Sequence, residues 1–359
     1  MTSTVSEDEL RLLSATCAEI FAAHDDGRPP AGAWDPELWK ALKESGLTLV
    51  SVPEKSGGSG GTLHEAAAII GAAGEHAASV PLGETALLGA WLLAEGGLPV
   101  PAGPLTAADG TGALTARHTA GRWQLRGRLP RVPWGRHAAG VAVVVVSEDG
   151  EQAVVLLRPQ DVTPLPGLNS AGEPRDDLSV DTRPEPDLVA SVPPGTADRL
   201  RLRQALLRTV LIAGAAERAL ALTLSYTTER EQFGRALGRF QAVQQQVAEL
   251  AAEAAAIRAA ADAAVALCDA EDVADERAAV AVAAAKVQAG RGAGVVARIA
   301  HQVHGAIGFT DEHPLRLATT RLWAWRDEAG DEAYWATEIG GRALAAGASG
   351  IWPLITEAE

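Results

Sequence analysis

Between Thr228 and Leu250 the sequence TEREQFGRALGRFQAVQQQVAEL sets Arg230 and Gln241 on either side of Gly234. Arg230 offers a planar fork of donors suited to phosphate, and Gly234 lets the backbone bend or approach a ligand closely. Gln241 brings an amide to the start of the next helix. Together these groups could cradle an anion. The same pattern also fits an ordinary helix-turn-helix with a salt-bridged arginine, because one arginine near one glycine is a common arrangement.

The elements that must position these residues are helical. Phe240, Val243, Val247 and Leu250 recur at spacings of three and four, the period of a helix that buries one stripe. From about Thr196 onward, Ala-rich segments near 198–230, 237–270, 273–304 and 312–346 predict helices whose small side chains allow close packing in a bundle. Between Pro99 and Pro194 helical period is lost. There GVAVVVVS (140–147) and QAVVLLRP (152–159), joined by a turn, predict a hairpin, and RWQLRGRL (122–129) alternates as a half-buried strand. Ahead of that region, residues 6–24 carry Leu10, Leu13, Cys17, Ile20 and Phe21 at helical spacing, and Asp35 opens a second helix. LTLVSVPEKSGGSGGT then predicts a short extended run and a glycine loop, followed by helix from His64 to about Gly97. The loop lacks the GKS or GKT ending that a phosphate-binding loop needs, so it is predicted to be a connection.

Composition bounds the function. The chain has 359 residues, 47% hydrophobic and 21% charged, enough for two or three cores of a soluble globular protein. A formal charge of -15 argues against nucleic acid and anionic membranes as partners. Cys17 and Cys268 lack the spacing of a zinc site or a disulfide framework, which suits a reducing cytoplasm. His301 and His304 lie three apart with no third ligand at metal spacing, so no metal is expected. Trp323, Trp325 and Trp335 are predicted to form a packing or subunit-contact cluster. The acidic N-terminus has no basic region before an apolar run, and no apolar span reaches the roughly 18 residues of a membrane crossing, so neither an export signal nor a membrane segment is expected.

ER-x-QFG followed by FQAVQ and a long Ala-rich helix resembles the flavin-contacting motif of the acyl-CoA dehydrogenase family. HQVHGAIGFTDEHPL (301–315) is similar to that family's QxxGGxGF segment, with Ala306 in place of the second glycine, and SVPEKSGGSGG (51–61) is similar to a loop near its N-terminal domain. The resemblance covers nearly the whole chain. It implies a mostly α fold with a small β domain: an N-terminal helical domain over 1–100, a central antiparallel β domain over 101–195 and a C-terminal four-helix bundle over 196–359. It implies FAD as cofactor, with Arg230, Gln232, Phe233, Gln241, Gln302 and Gly305 as flavin-binding positions. Trp134 can stack on a ring system or pack in a core.

The family removes the α-proton of an acyl-CoA thioester with a carboxylate while the β-hydrogen leaves as hydride to the flavin. By resemblance the base position is Ala329, followed by Gly330, and the alternative position on the first long C-terminal helix falls near Gln204 and Ala205. Neither carries a carboxylate. Glu328 is the neighbouring candidate, and it also reads as a solvated residue in the acidic run of Asp327, Asp331 and Glu332. The family's TExxxGSD-like loop reads here as GPLTAADGTGAL (103–114), and its flavin-contacting threonine is matched by Pro133, which offers neither hydroxyl nor N–H.

In the family the β domain and base belong to one chain, whereas RxQFG and QxxGGxGF reach a neighbour's flavin. This chain keeps the second set and lacks the first. The resemblance therefore implies a subunit of a heteromeric acyl-CoA dehydrogenase, a dimer or dimer of dimers (heterotetramer), whose homologous partner supplies the glutamate and whose electrons pass to an acceptor flavoprotein. The alternatives are a self-sufficient homomeric dehydrogenase using Glu328, a flavin enzyme of the same fold with other chemistry, and a non-catalytic structural subunit.

Overall fold

The computed structural model describes residues 7–24, 29–270, 273 and 275–355. The chain forms two compact units, the first comprising residues up to 69 with 79–204 and the second 70–78 with residues from 205 onward.

In the first unit, α1 (Glu7–Ala22) precedes α2 (Pro36–Glu44). Asp35 caps α2 by accepting the N–H groups of Glu37 and Leu38, and Pro36 stands at the first helical position, where its missing N–H costs nothing. The run 47–52, predicted as extended, instead makes turns. The glycine loop folds back on it: the N–H groups of Gly60 and Gly61 donate to Val52 O and Val50 O, and a Cβ on Gly58 would lie 2.1 Å from Val52 O. The glycines thus permit a close backbone approach. Thr62 and Glu65 form a reciprocal capping box at the start of α3 (Leu63–Glu75). The helix predicted onward to Gly97 is broken after Glu75 and resumes as widened turns over Glu84–Ala90 that run into α4 (Trp91–Glu95).

The β region holds two four-stranded sheets. One has the order β1 (Leu105–Asp109), β4 (Gly140–Val146), β5 (Gln152–Leu157), β8 (Val189–Ser191), and the other β2 (Leu114–Thr119), β3 (Arg122–Pro133), β7 (Arg175–Thr182), β6 (Val162–Leu165). The predicted hairpin is present, with Val141 opposite Leu157. Every pairing is antiparallel except β1 with β4, which is parallel. Leu125, Leu129, Val143, Val155, Leu157 and Leu178 form the centre of the core of this region. Val141–Val145 are all buried, which explains why β4 is an unbroken apolar run rather than an alternating one.

The second unit is a helix bundle. It contains most of α5 (Thr196–Glu229), a two-residue hairpin β9 (Glu231–Gln232) and β10 (Arg235–Ala236), then α6 (Gln241–Ala270), α7 (Glu276–His304), α8 (Leu315–Arg326) and α9 (Glu332–Ile355). Residues 205–213 of α5 are buried on all sides. Small residues permit this: a Cβ on Gly214 would lie 2.0 Å from Gly71 O, and one on Gly292 would lie 2.7 Å from Ile257. The segment predicted as one helix over 312–346 is two, interrupted between α8 and α9.

Candidate functional site

At the end of α5 the chain turns through the β9–β10 hairpin. Its two central residues, Phe233 (φ 53) and Gly234 (φ 78), both lie in the left-handed region, as the tightest hairpin turns require. The N–H of Leu237 donates to Arg230 O at 2.9 Å and closes the hairpin. Phe240 braces it from below, edge-on to Phe233 at 6.2 Å and under the Arg235 guanidinium at 4.0 Å. Phe233 is nevertheless 93% exposed. A large apolar ring held outward in a sparsely populated backbone conformation serves nothing within this unit.

The end of α7 lies beside the end of α5. The Tyr226 ring, one turn before Arg230, stacks on His304 at 4.4 Å, and its hydroxyl donates to His304 O at 3.4 Å. His304 is followed by Gly305, which leaves the helix at φ 65. Burial pushes His304 below the usual imidazole range, and its Nδ1–H donates to Ala300 O at 2.8 Å. Burial likewise lowers His301, whose ring lies between Phe309 at 3.9 Å and Trp323 at 5.5 Å and whose Nε2 meets the Thr319 hydroxyl. Arg230, Gln232, Gln241, Gln302 and Gly305 are all exposed. In a chain with 46 acidic residues, the Arg230 guanidinium has no acidic partner among the described residues, nor do the side chains of Gln232, Gln241 and Gln302 form hydrogen bonds among them. The salt-bridged reading of Arg230 is therefore not what the structure contains. An exposed cation with amides and a glycine backbone nearby fits the phosphates of a dinucleotide.

The base position lies in the turn between α8 and α9, not on a helix. Ala329 has φ 57 and Gly330 φ 86. Three carbonyls at the turn are taken by side chains: Trp335 donates its indole N–H to Ala329 O at 2.8 Å, and Lys286 Nζ reaches Arg326 O and Gly330 O, both at 2.7 Å. Lys286 is fully buried on α7, and burial pushes it down to about 8, opposed chiefly by Glu332 and assisted by Arg208. Glu328 is not the solvated acid of an acidic run. Its carboxylate lies 2.8 Å from Arg208 Nε, with side-chain exposures of 13% and 5%. Arg208 lies one turn beyond Gln204 on α5, so both regions that could carry a base converge on this ion pair.

In the other unit, Pro133 ends β3 opposite Arg175. Trp134 (φ 57) is 3% exposed and donates its backbone N–H to Pro174 O, so its ring belongs to the packing of the β region. The three tryptophans expected to cluster divide: Trp325 and Trp335 are buried, while Trp323 stacks beside His301. Among the described residues no group of three or more His, Cys, Asp or Glu is placed to hold a metal ion, and no helix is long and apolar enough to cross a membrane. Arg208 and Lys286 escaped the sequence reading, although each is a lone cation in a largely apolar stretch of its helix, LLRTVLI and VAAAKVQA.

N-terminal helices, a small β region and a C-terminal helix bundle are an architecture this chain shares with solved acyl-CoA dehydrogenases. The models of the acyl-CoA dehydrogenase N-terminal and C-terminal domains match residues 8–99 and 203–340. Acyl-CoA dehydrogenase IpdE2 of Mycobacterium tuberculosis is 30% identical over 318 residues, 86% of this chain and 89% of the relative. Acyl-CoA dehydrogenase FadE27 of the same organism is 29% identical over 309 residues, 79% of this chain and 81% of the relative. Among solved structures, a chain of the ChsE4-ChsE5 complex from Mycobacterium tuberculosis superposes with a TM-score of 0.85 at 27% identity, covering 95% of this chain and 98% of that one. The chain belongs to the acyl-CoA dehydrogenase family of oxidoreductases.

Proposed function

We propose that this chain is one kind of subunit in a heteromeric, FAD-dependent acyl-CoA dehydrogenase. It lends Arg230, Gln232, Phe233, Gln241, Gln302 and Gly305 to a flavin held largely by a homologous partner, and the partner supplies the carboxylate base. The observation that carries this reading is the state of Glu328. A general base must be free to meet the proton it removes, whereas this carboxylate is held 2.8 Å from the Nε of a buried guanidinium. The exposed, unpartnered groups around Arg230 support the other half of the reading, and the solved relative is itself a complex of two proteins.

When bound, the flavin accepts the β-hydrogen as hydride and passes the electrons to an acceptor flavoprotein. Arg230 would balance pyrophosphate charge, and the amides of Gln241 and Gln302 would orient the dinucleotide. The test is to express the chain alone and together with a homologous chain that carries the glutamate. Flavin absorbance and acyl-CoA turnover with an artificial electron acceptor are expected only from the co-expressed complex, at the mass of a heterodimer or heterotetramer. Flavin and turnover from the chain alone would refute the proposal.

A further inference from the structure

The hairpin carrying Arg230 and the α7 terminus carrying Gln302 and Gly305 belong to different helices, yet one dinucleotide must meet both. Their spacing therefore has to be fixed by something other than the ligand. The end of α5 is at the rim of the bundle: Leu224 is 45% exposed, and Ser225, Thr228 and Glu229 are exposed as well. A stack of rings ties it to the end of α7. Tyr226 lies on His304 at 4.4 Å with 21° between the planes, and His313 meets both, 4.7 Å from His304 and 6.1 Å from Tyr226.

Both histidine rings are pinned: His304 Nδ1–H donates to Ala300 O, and His313 Nδ1 accepts the N–H of Leu315 at 3.1 Å. The backbone carbonyl of Tyr226 accepts the N–H of Arg230 at 2.9 Å, the last helical bond before the hairpin. The backbone turn that projects Arg230 is thus tied through one aromatic ring to the residue just before Gly305.

We propose that Tyr226, stacked on His304, is a positioning residue that sets the spacing between the Arg230 hairpin and the Gln302–Gly305 end of α7 for a shared dinucleotide phosphate. The proposal rests on the flavin-lending function above. The hydroxyl contact of 3.4 Å is long, so the stack rather than the hydrogen bond carries the effect. Tyr226 is only half-buried and its neighbours Leu224, Ser225 and Thr228 are exposed, although Thr223 and Thr227 are buried, so its loss is expected to alter geometry more than fold stability.

The test uses the co-expressed complex, stripped of flavin and titrated with FAD, with thermal melting of the stripped complex measured in parallel. Tyr226→Phe keeps the ring and is expected to bind FAD within about twofold of wild type. Tyr226→Leu and His304→Leu each remove one side of the stack and are expected to weaken FAD binding about tenfold or more, with the melting midpoint held within about 2 °C. The double variant should lose less than the product of the two single losses, because the Tyr226–His304 stack is common to both, while each ring also keeps its own contact with His313. Wild-type affinity in Tyr226→Leu would overturn the positioning role, as would an affinity loss accompanied by a matching fall in melting midpoint or losses that multiply in the double variant. A wild-type complex that takes up no FAD would overturn the flavin-lending function and this inference together, a result distinct from the failure of Tyr226 alone.

Discussion

Glu328→Gln separates stability from catalysis at the turn between α8 and α9. The substitution keeps size and one acceptor oxygen but removes the charge that pairs with Arg208 at 2.8 Å, where the arginine side chain is only 5% exposed. Breaking a buried ion pair from one side leaves the other charge uncompensated and costs about 3–5 kcal/mol. The retained amide oxygen places glutamine at the lower end, about 3 kcal/mol. At roughly 2–4 °C per kcal/mol for a unit of this size, the melting midpoint of the complex should fall by roughly 6–12 °C. The Arg208→Met/Glu328→Met pair, which removes both charges, should recover to within about 1 kcal/mol of wild type. Turnover per bound flavin should meanwhile stay within about threefold, because a carboxylate bound to a guanidinium is not the proton acceptor. Removing a true general base costs on the order of a hundredfold or more in kcat, close to 3 kcal/mol in barrier. Circular dichroism melting and steady-state kinetics on the same preparations read both arms. An unchanged midpoint in Glu328→Gln would show that the pair does not hold the turn. A collapse of kcat with flavin still bound would make Glu328 the base and this chain a catalyst in its own right.

Arg230→Ala should reduce flavin retention of the complex at least tenfold while leaving the melting midpoint of the stripped complex within about 1 °C, since an exposed arginine without an acidic partner carries little fold stability; equal flavin content by absorbance would remove Arg230 from the site. Lys286 has a folded pKa near 8 against its usual 10.5, so between those values the unfolded chain holds more protons and the lysine's contribution to stability rises with pH. Relative to Lys286→Met, wild type should therefore gain on the order of 3 kcal/mol from pH 7 to 10.5 in urea unfolding, and a flat difference would refute the buried ammonium. Gly330→Ala would place a Cβ 2.6 Å from Trp335 Nε1 at φ 86 and should cost about 2 kcal/mol or more, whereas Ala329→Gly, which relieves a left-handed alanine, should cost nothing; similar urea midpoints for the two would disprove the strain argument.

Local pattern made the long helices, the β4–β5 hairpin and the bend at Gly234 legible, because helical period, apolar strand runs and the Phe233-Gly234 turn are written into neighbouring residues. The interruption near Ala329 was not legible. WRDEAGDE has no proline, and its one local stop signal is Gly330, which the structure holds at φ 86; the break is then fixed from outside, where Lys286 from α7 and the Trp335 indole take carbonyls of the turn. Glu328 looked like one more surface acid for the same reason, since its partner Arg208 is remote in the chain. The run 47–52 has the alternation of a strand, but the glycine loop folds back and takes its carbonyls before any strand can pair with it. Trp134 could not be assigned between stacking and core from type alone, and its burial decides for the core.

The two halves of the family's site are marked by opposite physical signs. Among the described residues the side chains of Arg230, Gln232 and Gln241 are exposed and make no hydrogen bond, which leaves them available to a ligand or another chain. Around Ala329 the carbonyls of Arg326, Ala329 and Gly330 and the carboxylate of Glu328 are already engaged within the unit. A site that bound substrate and removed its proton would need the reverse at the second position: a carboxylate free to reach the α-carbon. Under the proposed function, the Arg208–Glu328 pair and the Lys286 clamp hold this turn as structure, while the chain's chemistry lies at its Arg230 end.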